Sequence, residues 1–146
     1  ALGGAQWASV EGRKAFEPVS DCMGAQHTLC CPHDIKGPSA ICKSVTKIDH
    51  SKAGNGTLLN WKFSPAALEG DTGLDNLISL LDTYVQRKGM HSQFTVASKE
   101  TLLDAQKNPS EYKDLLVRVA GYSAYFVELS KGLQDDIIGR TELNFS

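Results

Sequence analysis

The sequence of 146 residues has no run of about 18 apolar residues, so nothing in it predicts a transmembrane helix. Its first residues lack the basic start and long apolar core of a secretory signal peptide. The net charge is only -2 and the pI is near 6.1, so there is no electrostatic reason to expect nucleic acid or an anionic membrane as a partner. These absences favour a cytoplasmic protein.

The sequence also lacks the paired C-x-x-C spacing that is typical of zinc and iron–sulfur sites. Adjacent cysteines without an export signal are typical of reduced thiols, so disulfides are not expected. Two histidines near the cysteines supply enough ligand types for a metal, but the spacing favours a structural or loop role, and we expect no metal. The residues concerned are Cys22, Cys30, Cys31, Cys42, His27 and His33.

The composition, 41% hydrophobic and 22% charged, is that of an ordinary globular domain. Residues 1–37 show no sustained periodicity and are predicted to be mostly loop. Helical spacing of Ile41, Cys42, Val45 and Ile48 predicts a helix after Gly37. Further helices are predicted over 73–88, 99–107 and 131–140, and strands over 57–63, 93–97 and 115–119. Helices alternating with strands indicate an α/β fold.

The longest predicted helix, 73–88, has apolar residues at steps of three and four that we expect to face the core. Asp71 is placed to cap its start and Gly89 to end it, and Ser98 is placed to cap the following helix. The predicted inward face consists of Leu74, Leu77, Ile78, Leu81, Tyr84 and Val85.

One stretch sets a single glycine between an apolar run and an aromatic pair: Arg118-Val119-Ala120-Gly121-Tyr122-Ser123-Ala124-Tyr125-Phe126. It resembles the radical-bearing loop of the glycyl radical enzymes. The resemblance extends through residues 100–116 before the loop, and through Gln134-Asp135-Asp136-Ile137-Ile138 and Arg140-Thr141-Glu142 after it. The segment EGRKAFEPVSD at 11–21 also resembles the family.

The resemblance implies that an activating enzyme removes a hydrogen atom from the α-carbon of Gly121. The carbon then becomes planar as the unpaired electron spreads onto the flanking amide and carbonyl, and a Cβ would clash as the carbon flattens. Glycine also tolerates the unusual φ and ψ of a sharp loop tip. The loop would be supported by its neighbours Arg118, Val119, Ala120, Tyr122 and Ser123. On the tripeptide alone, Gly121 could simply supply a turn between a strand and a helix.

The resemblance further implies the C-terminal portion of a ten-stranded α/β barrel, with the end of the barrel in residues 1–70 and a glycine radical domain in 71–146. Because the sequence begins at Ala1, inside a family segment and without methionine, we expect a fragment that does not turn over substrate alone. The family's radical-receiving cysteine lies in a Gly-Cys-Val or Gly-Cys-Ile context that none of the four cysteines has, and the carboxylate that commonly follows it is absent too. Asp135 and Asp136 are predicted to lie on the solvent face of the last helix.

Several segments look closer to the diol-dehydratase, choline-lyase and arylacetate-decarboxylase relatives than to pyruvate formate-lyase. They are Ser51-Lys52-Ala53, Asn55-Gly56-Thr57-Leu58-Leu59-Asn60 and Phe63-Ser64-Pro65-Ala66-Ala67-Leu68, together with the glycine loop. The expected function is therefore an oxygen-sensitive lyase of anaerobic metabolism, of the diol dehydratase, C–N lyase or arylacetate decarboxylase type. The alternatives are pyruvate formate-lyase itself, a stand-alone glycyl radical subunit that repairs it, and a degenerate α/β binding module.

The resemblance also implies the partners. These are a radical S-adenosylmethionine activase that carries an iron–sulfur cluster, the rest of the barrel with its cysteine loop, a small-molecule substrate and a second copy in a homodimer. The chain itself is expected to bind no cofactor.

Overall fold

The computed structural model describes residues 5–10, 14–17, 22–23, 35–119, 121–140 and 142–145. Four α-helices and four β-strands are assigned in these residues, with short 3₁₀ turns between some of them. The helices are α1 (Gly37–Val45), α2 (Gly70–Gln86), α3 (Lys99–Lys107) and α4 (Lys131–Gly139). The strands are β1 (Leu58–Phe63), β2 (His91–Val96), β3 (Leu116–Arg118) and β4 (Ser123–Tyr125).

The first half of the fold is a β1–α2–β2 unit in which the two strands pair in parallel, from Leu58 opposite His91 to Phe63 opposite Val96. Parallel neighbours need a crossover connection, and α2 supplies it. Leu59, Trp61 and Phe63 of β1 are almost completely buried, in the same cluster as side chains of α1 and α2. They form the centre of the first hydrophobic cluster, which also includes Tyr84.

The second half is a short antiparallel hairpin, β3–β4, packed with α3 and α4 around a second hydrophobic cluster. Val117, Phe126 and Ile137 are each at most 2% exposed, so the base of the hairpin is firmly buried. The chain then returns to the first half, where Leu143 lies beside Phe63 and its N–H donates to the carbonyl of Lys62 at 2.7 Å.

Most of the predicted elements are confirmed, with ends that shift by a few residues. The helix over Lys99–Lys107 begins where predicted, because the Ser98 Oγ accepts a hydrogen bond from the Thr101 N–H at 3.1 Å. The first helix ends at Val45, so Ile48 lies beyond it and is half exposed. Strand β4 was not predicted.

The predicted inward face of α2 is wrong in part. Leu74, Ile78 and Val85 are each more than half exposed, and the buried positions are Gly73, Leu80 and Tyr84. The helix therefore has two apolar stripes along its length. The stripe that packs closely against neighbouring elements is the buried one, and the other stays exposed. A Cβ on Gly73 would lie 2.6 Å from the backbone of Leu68, so glycine at this position lets that side of α2 approach the preceding turn.

The predicted ends of α2 are also corrected. The helix begins at Gly70, and its N-cap Glu69 makes no side-chain capping bond, so Asp71 lies in the first turn instead of at the cap. At the other end Lys88, with φ +63°, takes the left-handed position. The Lys88 and Gly89 N–H groups donate to the carbonyls of Val85 and Tyr84, which is the Schellman arrangement.

Within the described residues, no helix is both long enough and apolar enough to cross a membrane.

Gly89 is required for a different reason from the one predicted, since a Cβ there would lie 2.4 Å from the buried ring of Tyr84. We expect Gly89→Ala to lower the free energy of unfolding by about 1–3 kcal/mol, the usual cost of overpacking. Urea denaturation would measure it. Gly54→Ala is the matched control, because its Cβ meets no described atom within 4 Å. Equal stability of the two variants would contradict this account of Gly89.

Candidate functional site

Gly121 lies at the tip of the β3–β4 hairpin, three residues beyond the last residue of β3. Its φ is +78°, a left-handed conformation that glycine adopts without the steric cost of a Cβ. The Val119 N–H donates to the Tyr122 carbonyl at 3.0 Å and closes the tip. Apart from its two chain neighbours, no described residue lies within 4 Å of the position that a Cβ would occupy, so the described part of the chain leaves one side of the α-carbon open.

The structure brings the predicted loop residues together around this tip, except Ala120, which lies outside the described residues. Val119 is buried in the second hydrophobic cluster, whereas the Tyr122 ring is about half exposed. The Arg118 Nη1 donates to the Ser123 Oγ at 3.1 Å across the hairpin. The two residues that begin and end the loop are therefore tied by a side-chain bond as well as by strand pairing.

A residue that the sequence did not single out contacts the tip directly. Gln93, in the middle of β2, is 5% exposed, and its Oε1 accepts a hydrogen bond from the Gly121 N–H at 3.1 Å. The same oxygen accepts from the Arg118 Nε. A single glutamine inside a strand forms no motif. The sequence offered one indication only: Gln93 is polar, yet it occupies a position of the strand whose side chain faces inward.

The backbone carbonyl of Arg118 is held from two other elements. The Arg140 Nη1, from the residue that follows α4, donates to it at 3.0 Å, and the Thr95 Oγ1 of β2 donates at 3.4 Å. The Arg140 side chain is 7% exposed and lies 3.7 Å from a carboxylate oxygen of Asp136. Arg118 therefore receives contacts from β2, β4 and the end of α4.

Lys62 connects this arrangement to the first hydrophobic cluster. Its Nζ, from β1, donates to the carbonyls of Arg140 at 3.3 Å and Ile138 at 3.5 Å. A lysine at a helix C-terminus satisfies carbonyls that have no partner within the helix. Burial lowers the pKa of the Lys62 ammonium, and the charge of nearby Glu142 partly opposes that shift.

An open cleft of about 500 Å³ lies beside Gly121, between the hairpin tip and the start of β1. Its walls come mostly from the strand starts and the turn before β1. They include Asn55, Gly56, Thr57, Leu58, Met90 and His91, together with Gln93 and Arg118. The tip is thus held at its base, and its surface is not covered by the described residues.

The cysteines within the described residues are not disulfide-bonded. Cys42 is buried in the first hydrophobic cluster, and burial raises the pKa of its thiol. The Cys22 Sγ accepts a hydrogen bond from the Asn60 Nδ2 at 3.4 Å. The remaining candidate metal ligands, His27, Cys30, Cys31 and His33, lie outside the described residues, where the prediction of no metal stays a prediction. Among the described residues, Asp135 is exposed, as expected, and Asp136 is half buried against Arg140.

Comparison with known proteins identifies the family. The sequence profile of the family described as "Glycine radical" matches residues 30–127, which include Gly121, Arg118 and Gln93. The chain belongs to the glycine radical family.

Relatives of this glycine radical chain include two curated dehydratases. The (2S)-3-sulfopropanediol dehydratase of Klebsiella oxytoca is 57% identical over 138 residues, and the trans-4-hydroxy-L-proline dehydratase of Clostridioides difficile is 50% identical over 138. Each alignment covers 94% of this chain and 17% of the relative. A glycerol-bound B12-independent glycerol dehydratase from Clostridium butyricum has a TM-score of 0.87 at 51% identity, over 99% of this chain and 18% of that one. The chain thus spans under a fifth of the length of these relatives.

The lowered pKa of Lys62 predicts a pH dependence of stability in this glycine radical chain. Between that lowered pKa and the ordinary value of 10.5, the unfolded state binds more protons than the native state, so the stability contributed by Lys62 rises with pH in this window and is constant below it. We expect the free energy of unfolding of the wild type, minus that of Lys62→Met, to increase from neutral pH toward pH 10.5. Urea denaturation across that range measures it.

The same substitution at exposed Lys47 shows whether the loss of any lysine produces such a slope. A difference between wild type and Lys62→Met that does not change with pH would refute the burial argument.

Proposed function

We propose that Gly121 stores a backbone radical on its α-carbon. The observation that carries the proposal is the open α-carbon of a positive-φ glycine at the tip of a hairpin, in the loop that resembles the radical site of the family. Loss of one hydrogen atom leaves an unpaired electron that spreads onto the adjacent nitrogen and carbonyl as the carbon becomes planar. No described side chain has to move for this, because none lies within 4 Å on the Cβ side.

The neighbouring residues hold the loop while leaving its tip accessible. Arg118 binds across the hairpin to Ser123, and Val119 and Tyr122 close the turn through their backbones. We propose the same supporting role for Ala120. The cleft beside Gly121 gives a partner protein or a segment of the enzyme a route to the α-carbon.

For the whole protein, we propose a glycyl radical lyase, with the dehydratase type favoured. The alignment of 94% of the chain with two dehydratases supports this over a stand-alone repair subunit, whose resemblance would be confined to the loop. By this proposal the chain forms the last part of a ten-stranded α/β barrel, with the end of the barrel in residues 1–70 and the glycine radical domain in 71–146. The substrate is a small molecule that bears a hydroxyl group.

The proposal requires partners that supply what these residues do not. A radical S-adenosylmethionine activase with an iron–sulfur cluster installs the radical, and a cysteine elsewhere in the barrel receives it. We propose a homodimer working in an anaerobic cytoplasm.

Electron paramagnetic resonance tests the radical site directly. After anaerobic treatment with an activase of this class, the wild-type chain should give a glycyl doublet and Gly121→Ala none. Gly121→Ala should still fold, because its Cβ meets no atom of the described residues within 4 Å and only the left-handed backbone is strained, at about 1–2 kcal/mol. Gly70→Ala is the matched control, with φ +70° and equally open space. An undiminished doublet from Gly121→Ala would exclude Gly121 as the radical site.

Oxygen provides a second test, since a radical on a backbone α-carbon reacts with O2 and the chain breaks there. Activated chain exposed to air should split at Gly121 and release a peptide of about 25 residues, the length that follows Gly121 in the sequence. Mass spectrometry would identify the fragment, and chain that was not activated should stay whole. If spin counting verifies activation and the protein nevertheless stays intact in air, the result contradicts a backbone radical at Gly121.

A further inference from the structure

Gln93 is the only residue of β2 whose side chain bonds to the backbone of Gly121 in the part of the chain that the structure describes. Along a strand, residues two apart point to the same face, so Gln93 and Thr95 both face the hairpin. Thr95 binds the carbonyl of Arg118, while Gln93 binds the side chain of Arg118 and the N–H of Gly121. The strand therefore contacts the hairpin at its base and at its tip.

The Gln93 Oε1 is suited to this double contact. An amide oxygen has two lone pairs and can accept two hydrogen bonds, here one from a guanidinium and one from a backbone N–H. The side chain is almost fully buried, so loss of its contacts is not readily compensated by water. The Gly121 nitrogen is thus held at a defined point, although the residue itself is exposed.

We propose that Gln93 is a positioning residue for the radical on Gly121, an inference that rests on the proposed function. The nitrogen that Gln93 holds is one of the atoms over which the unpaired electron spreads. Spreading requires the nitrogen and the α-carbon to keep a common plane, and a fixed N–H restricts rotation out of that plane. A donated hydrogen bond also polarises the N–H and raises the electron density on nitrogen. Gln93 therefore stabilises the radical through geometry and through polarisation.

The first experiment measures the hydrogen bond without any radical. In the unactivated full chain, Gln93→Met keeps the side-chain length but removes the acceptor, and we expect amide hydrogen exchange at Gly121 to become about tenfold faster, the loss of one hydrogen bond. Gln93→Glu restores an acceptor at the same place and should keep exchange close to wild type. The amide of Phe126, bonded to the Leu115 carbonyl at the other end of the hairpin, should change less than about twofold.

The matched control is Gln134→Met. Gln134 is also a buried glutamine, and its Nε2 donates to a backbone carbonyl, that of Phe126, at 3.0 Å. This variant loses a comparable contact, just after β4, but none at Gly121, so Gly121 exchange should stay at the wild-type rate. If Gln93→Met does not fold, Gln93→Asn withdraws the oxygen by one methylene and serves the same comparison.

The second experiment measures the radical itself after anaerobic activation. We expect Gln93→Met to show a changed nitrogen hyperfine coupling at Gly121 and a severalfold faster anaerobic decay of the doublet, with Gln93→Glu and Gln134→Met close to wild type. Hyperfine coupling reports the spin on nitrogen, which a general loss of stability does not alter.

The outcomes separate this inference from the proposed function. If the wild type acquires no radical, the proposed function fails and this inference fails with it. If the wild type acquires one but Gln93→Met has unchanged coupling and decay, Gln93 has no part in positioning while the radical site stands. Unchanged amide exchange in Gln93→Met overturns the inference at its first step.

Discussion

The hydrogen bonds that converge on Arg118 are the constraint on which the position of Gly121 depends. Strands β3 and β4 have three residues each, and an isolated hairpin of that size is marginally stable at best in water. Its conformation is imposed from outside, by packing of Val117 and Phe126 in the second hydrophobic cluster and by polar contacts from β2 and the end of α4. Hydrophobic packing fixes where the hairpin base lies, and the directional bonds to Arg118 fix how its tip is oriented.

The separation between a fixed base and an open tip suits the proposed chemistry. In our proposal a stored backbone radical needs a nitrogen held in a constant plane, for which the Gln93 Oε1 is placed, and an α-carbon that the rest of the enzyme can approach, for which the cleft leaves room. A tip without polar anchors would be accessible, but rotation about the Gly121 backbone would change the overlap on which delocalisation depends.

Local signals in the sequence predicted much of this fold, and its tertiary choices were harder to predict. Ser98 as a cap and the alternation of Leu59, Trp61 and Phe63 are short-range patterns, and both elements formed as expected. The rotation of α2 about its axis depended on which of its two apolar stripes could approach the neighbouring elements. Gly73 allows one side to approach closely, because it has no Cβ to clash with the turn before the helix. Gln93 could not be identified from the sequence for the same reason, since its partner is 28 residues away and its own neighbourhood carries no motif.

The two hydrophobic clusters are joined by polar bonds that lead to the site. Lys62 lies on β1, whose apolar neighbours form the first cluster, and its ammonium binds the carbonyl of Arg140, whose guanidinium binds the carbonyl of Arg118. In each of these two hydrogen bonds a buried cation donates to a backbone carbonyl, so each bond is directional. Loss of either cation leaves a buried carbonyl with one partner fewer. The β1–α2–β2 unit therefore does more than pack near the hairpin, because its polar side chains also help to set the hairpin's orientation. It contacts the hairpin directly through Gln93 and Thr95 of β2, and indirectly through Lys62 of β1, which binds Arg140, so the geometry at Gly121 depends on both halves of the chain.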